Sequence, residues 1–243
     1  MPTTGAPWSL TPDPLPTMKL FLGTKNYSSW SLRGWLAVKL SGEPFEEIVV
    51  PLAGVTPNPA NFAFSPSGLV PCLHDGEAVV WDSYAIANHL AERHPEMWPA
   101  DPVARAYARS ITAEMHSGFA ALRSEMSMCI RERVDVRPWS PRLAADIARI
   151  TAIWDESRRR FGQGGAYLCG RYCLADVFFG PVAFRFQTYD VHPDGAAGSY
   201  LAALLAHPHM QEWARAAQAD ATVIEADEPR VLYRDKIAAA SRG

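Results

Sequence analysis

An α/β domain followed by an all-α domain is the fold class the sequence predicts, and three observations carry it. Two short apolar runs, "MKLFLG" at 18–23 and "EEIVVPL" at 46–52, bracket an amphipathic segment. Two more strand-like pieces in "VPCLHDGEAVVWD" precede a second helical segment, "SYAIANHLAERH". From residue 103 onward strand signals stop and helical periodicity takes over. Short apolar runs closed by turn residues read as buried strands, whereas apolar residues recurring at i, i+3 and i+4 read as one face of a helix. A chain of 243 residues suits two domains, since about 100 to 200 residues is a common domain size.

Each element follows from local chemistry. Residues 1–17, "MPTTGAPWSLTPDPLPT", are rich in Pro and Thr, carry neither a basic stretch nor an apolar core, and read as a flexible leader rather than a signal peptide. Leu32, Trp35, Leu36 and Leu40 keep one helical face and Gly42 supplies the stop, so strand, helix and strand make a βαβ unit. The Pro/Asn-rich "GVTPNPANFAFSPSG" then leads to a hairpin turning at Asp75-Gly76. The order β-α-β, crossover, β-β-α, with Pro71 opening the third strand, is that of a thioredoxin-like domain, although other small α/β sandwiches share it. "HPEMWPADP" at 94–102 has three prolines and no periodicity and reads as a linker. The expected division is therefore a leader at 1–17, a thioredoxin-like domain at 18–97 and an all-α domain at 98–243. In the last, "VARAYARSITAEMHSGFAALRSEMSM" reads as a long helix, and Leu143, Ile147, Ile150 and Trp154 form one stripe of the next. Further helices are expected at about 174–188, 198–206 and 208–219, followed by a tail too mixed in pattern to assign.

Composition narrows the function classes. Hydrophobic residues make up 48% of the chain, with eight Trp and ten Phe, which supplies a core. A net charge of -3 provides no broad attraction to nucleic acid or anionic membrane, so neither partner is expected. Cys72, Cys129, Cys169 and Cys173 form neither a CxxC pair nor zinc-ligand spacing, so no metal or dithiol redox motif is visible and reduced thiols in a cytoplasmic setting are expected. No apolar run approaches the roughly 20 residues a membrane-spanning helix needs.

Three places carry candidate chemistry. Ser28, Ser29 and Ser31 sit where the first strand hands over to the first helix, where unpaired N–H groups and the positive helix end favour an anion. A hydroxyl there can donate to a thiolate and lower a thiol's pKa, though capping alone also accounts for these serines. Pro71 after Val70 suits a cis peptide that turns the Val70 N–H and C=O toward an extended peptide, or equally an ordinary trans proline at the start of a strand. Ser83 reads as a helix N-cap whose neighbouring amides could receive a carboxylate, with Asp82 beside it to pair an ammonium; a plain capped helix with an acidic neighbour fits as well. Together these sites suit a peptide with an amino-acid head, an extended middle and a thiol, which is the shape of glutathione.

With those motifs in view, the chain resembles the cytosolic glutathione S-transferases over residues 18–219. "NYSSWSLRGWLAVKL" is similar to the serine-type N-terminal motif, close to the SSCxWR pattern of the zeta class of maleylacetoacetate isomerases. "SPSGLVPCLHDG" resembles the NPxGxVPxL segment, "WDSYAIANHLAE" the E/D-S-x-A-I-x-x-Y/H-L segment, and "CGRYCLADVFFGPVAFRF" the GxxSxAD helix start, with Cys173 at the usual Ser/Thr cap. The resemblance implies that Ser28, assisted by Ser29, activates the thiol, and that Tyr27, Trp30, Val70, Pro71, Asp82 and Ser83 bind glutathione as co-substrate, with no metal. Tyr27 competes with Ser28 for the thiol contact. Trp30 stands where zeta enzymes carry Cys, which argues against mixed-disulfide chemistry. Leu69 and Ser65 depart from the family's polar residues.

On the acceptor side, the family arrangement implies an electrophile lined by Met115, His116, Phe119 and Arg123, with Met126 and Met128 as further apolar candidates; Arg123 suits an anionic acceptor. His116 and Arg123, seven apart, are expected on nearly the same helical face. The leading expectation is conjugation of a hydrophobic or mixed electrophile by a homodimer. Glutathione-dependent cis-trans isomerisation and a non-catalytic interaction protein on the same scaffold are the alternatives.

Overall fold

A computed structural model describes residues 18–52 and 56–240; the leader expected at 1–17 lies outside the described residues. Four strands, β1 (Met18–Leu22), β2 (Phe45–Val49), β3 (Cys72–Asp75) and β4 (Ala78–Val80), form one mixed sheet in the order β2-β1-β3-β4. β1 runs parallel to β2 and antiparallel to β3, as a βαβ unit followed by a hairpin requires. Met18, Leu20 and Leu22 alternate into the core. β2 differs from its expectation as a buried strand: it lies at the sheet edge with no residue fully covered. Its Glu47 accepts from Trp35 Nε1 at 2.7 Å and pairs with Lys25 at 2.5 Å, which gives this half-covered carboxylate its partners.

Helix α1 (Ser29–Ser41) ends at Gly42 in the left-handed conformation, φ 75°. It packs against α2 (Ser83–Arg93) and against α6 (Leu174–Thr188) of the helical region, which buries nearly its whole circumference. Gly34 matters here: a Cβ at that position would lie 2.8 Å from Pro71 Cγ, so the bare backbone lets α1 close on the Val70-Pro71 segment.

The helical region comprises α3 (Pro102–Ser117), α4 (Ala120–Glu125), α5 (Pro141–Phe161), α6 (Leu174–Thr188), α7 (Gly195–Ala206), α8 (Pro208–Ala219) and two short C-terminal helices, α9 (Pro229–Leu232) and α10 (Arg234–Ala240). The single long helix expected after residue 103 is broken. Gly118 caps α3 by donating to the Glu114 carbonyl at 2.8 Å, Phe119 turns through φ 61°, and α4 starts afresh with Leu122 N–H donating to Asp146. A helix-interior Gly is costly enough for such tertiary bonds to decide the matter. The α5 stripe of Leu143, Ile147, Ile150 and Trp154 is buried as its periodicity predicts. α6 is covered almost on every side, with Trp154 from α5 against Phe179 and Phe186. Among the described residues no helix is long and apolar enough to cross a membrane.

Two caps yield predictions. At the start of α6, Cys173 N–H donates to Asp176 Oδ2 at 2.8 Å, so the acidic half of a capping box is in place, while the thiol is a poorer acceptor than the usual hydroxyl. Cys173→Ser is expected to stabilise the fold by about 1 kcal/mol, read as a raised melting temperature; a neutral or lowered value would overturn this view of the cap.

At α8 the cap is His207, whose Nδ1 accepts from His209 N–H at 3.2 Å and whose ring stacks on Tyr172 at 3.8 Å. Burial and His209 push its pKa down to about 4. The unfolded chain therefore binds this proton more readily, so stability falls as pH drops from the ordinary histidine value of about 6.5 toward 4. His207→Asn, which keeps a capping acceptor without a titrating group, is expected to flatten that part of the urea-stability profile.

Candidate functional site

The site is built at the N-terminus of α1. Ser28 is its N-cap, 7% exposed, with Oγ accepting from Ser31 N–H at 3.3 Å and donating to Ser31 Oγ at 2.7 Å. Ser31 Oγ also accepts from Gly23 N–H at 2.8 Å, which ties the end of β1 to the helix start. The Ser28 hydroxyl thus caps the helix and has a proton to offer. Ser29, one residue on, receives Arg185 Nη2 at 3.3 Å, and Arg185 Nε donates to the Met126 carbonyl at 2.7 Å. Burial together with Arg123 lowers Arg185 to about 10, so it remains charged at neutral pH.

Tyr27 points away from a thiol-donating role. Its hydroxyl donates to Glu228 and receives Arg131 Nη2 at 2.9 Å, and burial and the Glu228 carboxylate raise its pKa above the ordinary phenol value, so it stays protonated. Asn26 anchors the same loop: its amide oxygen accepts from Arg131 N–H at 3.0 Å and its amide nitrogen donates to Cys129 Sγ at 3.3 Å. The segment 222–233 therefore latches beside the serines.

Trp30 joins the remaining pieces. It is 37% exposed, with the Arg33 and Arg123 guanidiniums 4.8 and 5.0 Å from its ring and His116 edge-on at 5.4 Å. His116 Nε2 lies 3.3 Å from Asp82 Oδ2. Burial, reinforced by Arg33 and Arg123 and opposed by Asp82, lowers the imidazole's pKa, so this contact is not an ion pair at neutral pH. The Val70-Pro71 bond is cis, and Pro71 packs on Gly34 one turn below Trp30.

The cap of α2 differs from the expectation. Asp82, not Ser83, is the N-cap, accepting from Tyr84 N–H at 2.8 Å; Ser83 is fully buried with its Oγ unpaired. A carboxylate at the cap answers the helix dipole as well as its free amides, which favours Asp over a following Ser.

On the acceptor side Met115, Met126 and Met128 are core residues and Phe119 is nearly buried, while His116 and Arg123 reach the cluster around Trp30. With the helix broken at Gly118, Arg123 arrives there by folding back: it donates to the carbonyls of Met115, Gly118 (2.9 Å) and His116 (3.2 Å) at the open end of α3. Sequence reasoning missed Arg33, Arg185, Asn26, Arg131 and Glu228. The first two were visible as the lone charges in "SLRGWLAV" and "FFGPVAFRF", since a charge inside an apolar helical run has to be used or neutralised. Among the described residues no His, Cys, Asp and Glu cluster has metal-binding geometry.

Residues 27–93, which include Ser28, Trp30, Val70-Pro71 and Asp82-Ser83, match the family model described as the glutathione S-transferase N-terminal domain. A zeta-class glutathione S-transferase from Euphorbia esula is 30% identical over 174 residues, covering 68% of this chain and 74% of the relative. The chain belongs to the glutathione S-transferase family. This transferase is also similar in structure to a bacterial zeta-class maleyl pyruvate isomerase, at TM-score 0.64 and 25% identity over 84% of this chain and all of that one. It is comparably similar to a theta-class glutathione S-transferase from Xanthomonas axonopodis pv. citri with glutathione bound, at TM-score 0.62 and 25% identity over 82% and 98% of the two chains. These likenesses establish the thioredoxin-like sheet with an appended helical region.

Proposed function

We propose that this transferase binds glutathione across the sheet region, residues 18–97, and activates its thiol for attack on an electrophile held against residues 98–243. The observation that carries the reading is Ser28, a nearly buried N-cap hydroxyl whose proton can turn from Ser31 Oγ to a thiolate at the positive end of α1. Ser29, held by Arg185, supports the same anion. Val70 and Pro71 offer an extended edge to the tripeptide backbone, Trp30 walls the thiol, and Asp82, with the amides following Ser83, receives the γ-glutamyl head. Tyr27 serves the reading by holding the loop rather than by touching sulfur.

Conjugation forms a carbon–sulfur bond with loss of a leaving group or addition to a double bond. A second reading, glutathione-dependent cis-trans isomerisation, is favoured by the zeta-class relative and the maleyl pyruvate isomerase likeness. The two differ in whether glutathione is consumed, which titration of residual thiol after turnover decides. A cytoplasmic homodimer accompanies either reading.

Calorimetric titration with glutathione alone tests the foundation: binding at millimolar concentration or tighter is expected, and its absence would remove both enzymatic readings.

A further inference from the structure

The spacing of Cys169 and Cys173 matches no dithiol motif, yet the chain between them folds the two side chains together. Tyr167 N–H donates to the Gly170 carbonyl at 3.1 Å, Gly170 N–H returns to Tyr167 at 3.0 Å, and Arg171 N–H donates to the Cys169 carbonyl at 3.1 Å. Gly170 makes this reversal at φ 82°, a left-handed conformation that costs glycine little. The reversal leaves the Cys169 side chain as the hydrogen-bonding neighbour of the Cys173 thiol. Cys72 and Cys129 are buried elsewhere, Cys72 Sγ donating to the Phe64 carbonyl and Cys129 Sγ accepting from Asn26. Access separates the two neighbours: Cys173 caps α6 and is fully buried, whereas Cys169 is partly exposed and lines a cavity of about 560 Å³. Asp101 at the start of α3, Arg160 at the end of α5 and Arg171 line the same cavity, and two guanidiniums against one carboxylate favour an anion. The cavity meets α3 at Ala104, and His116 lies about 18 Å farther along that helix at 1.5 Å per residue, so the cavity is separate from the cluster around Trp30.

We propose that Cys169 and Cys173 are a redox pair, reached through this cavity, which an anionic low-molecular-weight disulfide such as glutathione disulfide oxidises to an intramolecular disulfide. Access fixes the order of events. The Cys169 thiol loses its proton to solvent and attacks one sulfur of the incoming disulfide; that S–S bond breaks, one glutathione leaves and takes up a proton, and a mixed disulfide remains on Cys169. Cys173 then attacks the Cys169 sulfur, and its proton leaves on the second glutathione. Two cysteine thiols are oxidised and one disulfide is reduced to two thiols, with no other reactant. Asp176 accepts from Cys173 N–H at 2.8 Å and also bonds its thiol, so it stands where the Cys173 proton has to be taken up during this step. Burial keeps Cys173 protonated, which makes ring closure the slower step and the mixed disulfide an observable intermediate. Glutathione disulfide enters here as an oxidant alone, so the pair is independent of the transferase reading.

Arg171 lies between the two cysteines, so trypsin reports the bond directly: a disulfide joins peptides 161–171 and 172–185, which otherwise separate. The full-length native protein is incubated with glutathione disulfide, alkylated at intervals, then unfolded and digested without reductant for mass spectrometry. A glutathionyl group on Cys169 is expected first and the joined peptides second, both reversed by excess glutathione. Cys173→Ser is expected to stop at the glutathionyl stage, and Cys169→Ser to give neither product at this pair. Cystamine, a small disulfide with two positive charges, is expected to react roughly threefold or more slowly than glutathione disulfide, and Arg160→Gln to narrow that difference. Joined peptides that form only after urea unfolding, or a glutathionyl group appearing first on Cys173, would overturn the pair. Mixed disulfide in the wild type that persists as it does in Cys173→Ser would do the same. Equal rates with the two disulfides would overturn the selection of an anionic oxidant.

Discussion

Ser28→Ala is expected to lower kcat/KM near neutral pH by about a hundredfold, the scale of removing one donor to a developing anion. The thiolate absorbance of bound glutathione should then titrate close to a free thiol, about 8.5, instead of near neutrality. The expectation follows from one hydroxyl doing two jobs: Ser28 Oγ caps α1 through Ser31 N–H, and its proton rests on Ser31 Oγ until a better acceptor arrives. Because alanine also removes the cap, a loss of about 1 kcal/mol in stability accompanies the change; Ser28→Asn restores a cap with different donor geometry and separates the two effects. If the bound thiol titrates identically in wild type and Ser28→Ala, the thiolate is held by Ser29 or by the α1 amides. Tyr27 is a weak substitute, since Glu228 and Arg131 already engage its hydroxyl.

Trp154→Ala should cost about 3–5 kcal/mol, the range for truncating a large buried aromatic. For a chain of this size that lowers the melting temperature by about 6–20 °C, at roughly 2–4 °C per kcal/mol. Trp154 is fully buried and meets Phe179 and Phe186 on one face of α6 and Tyr200 on α7. The neighbouring face of α6 carries Phe178 and Arg185 toward Arg33, His116 and Ser29. Loosening the first face therefore releases the second, and glutathione turnover should become heat-sensitive along with the fold. A shift below about 1 kcal/mol in denaturant unfolding would show that the α5–α6 contact relaxes around the loss.

How far the sequence was readable depends on the range of the deciding interaction. The βαβ order, the Asp75-Gly76 hairpin, the α5 stripe and the 174–188 and 208–219 helices rest on local periodicity and turn chemistry, and the structure agrees with them. The edge position of β2 is not local: Glu47 belongs there because Trp35 and Lys25 meet it. The helix break at Gly118 is settled by Asp146 and by Arg123 folding back, interactions that a periodic pattern does not contain. At the site, Ser28 was legible as a cap, and Asp82 was legible in place though not in role. The buried guanidiniums were hidden by the general expectation that arginine is a surface residue. Tyr27 was read through its own neighbourhood, whereas its partner lies 201 residues downstream.

That separation has a consequence for how the protein comes into being. The loop ahead of α1 is secured by groups that arrive late: Asn26 waits for Cys129 and Arg131, and Tyr27 waits for Glu228. On a ribosome emitting the chain from its first residue, the sheet can pair well before these clasps exist. The corner around Ser28 then lacks these clasps until translation has passed residue 228, so its completion is a late event of synthesis rather than an early one.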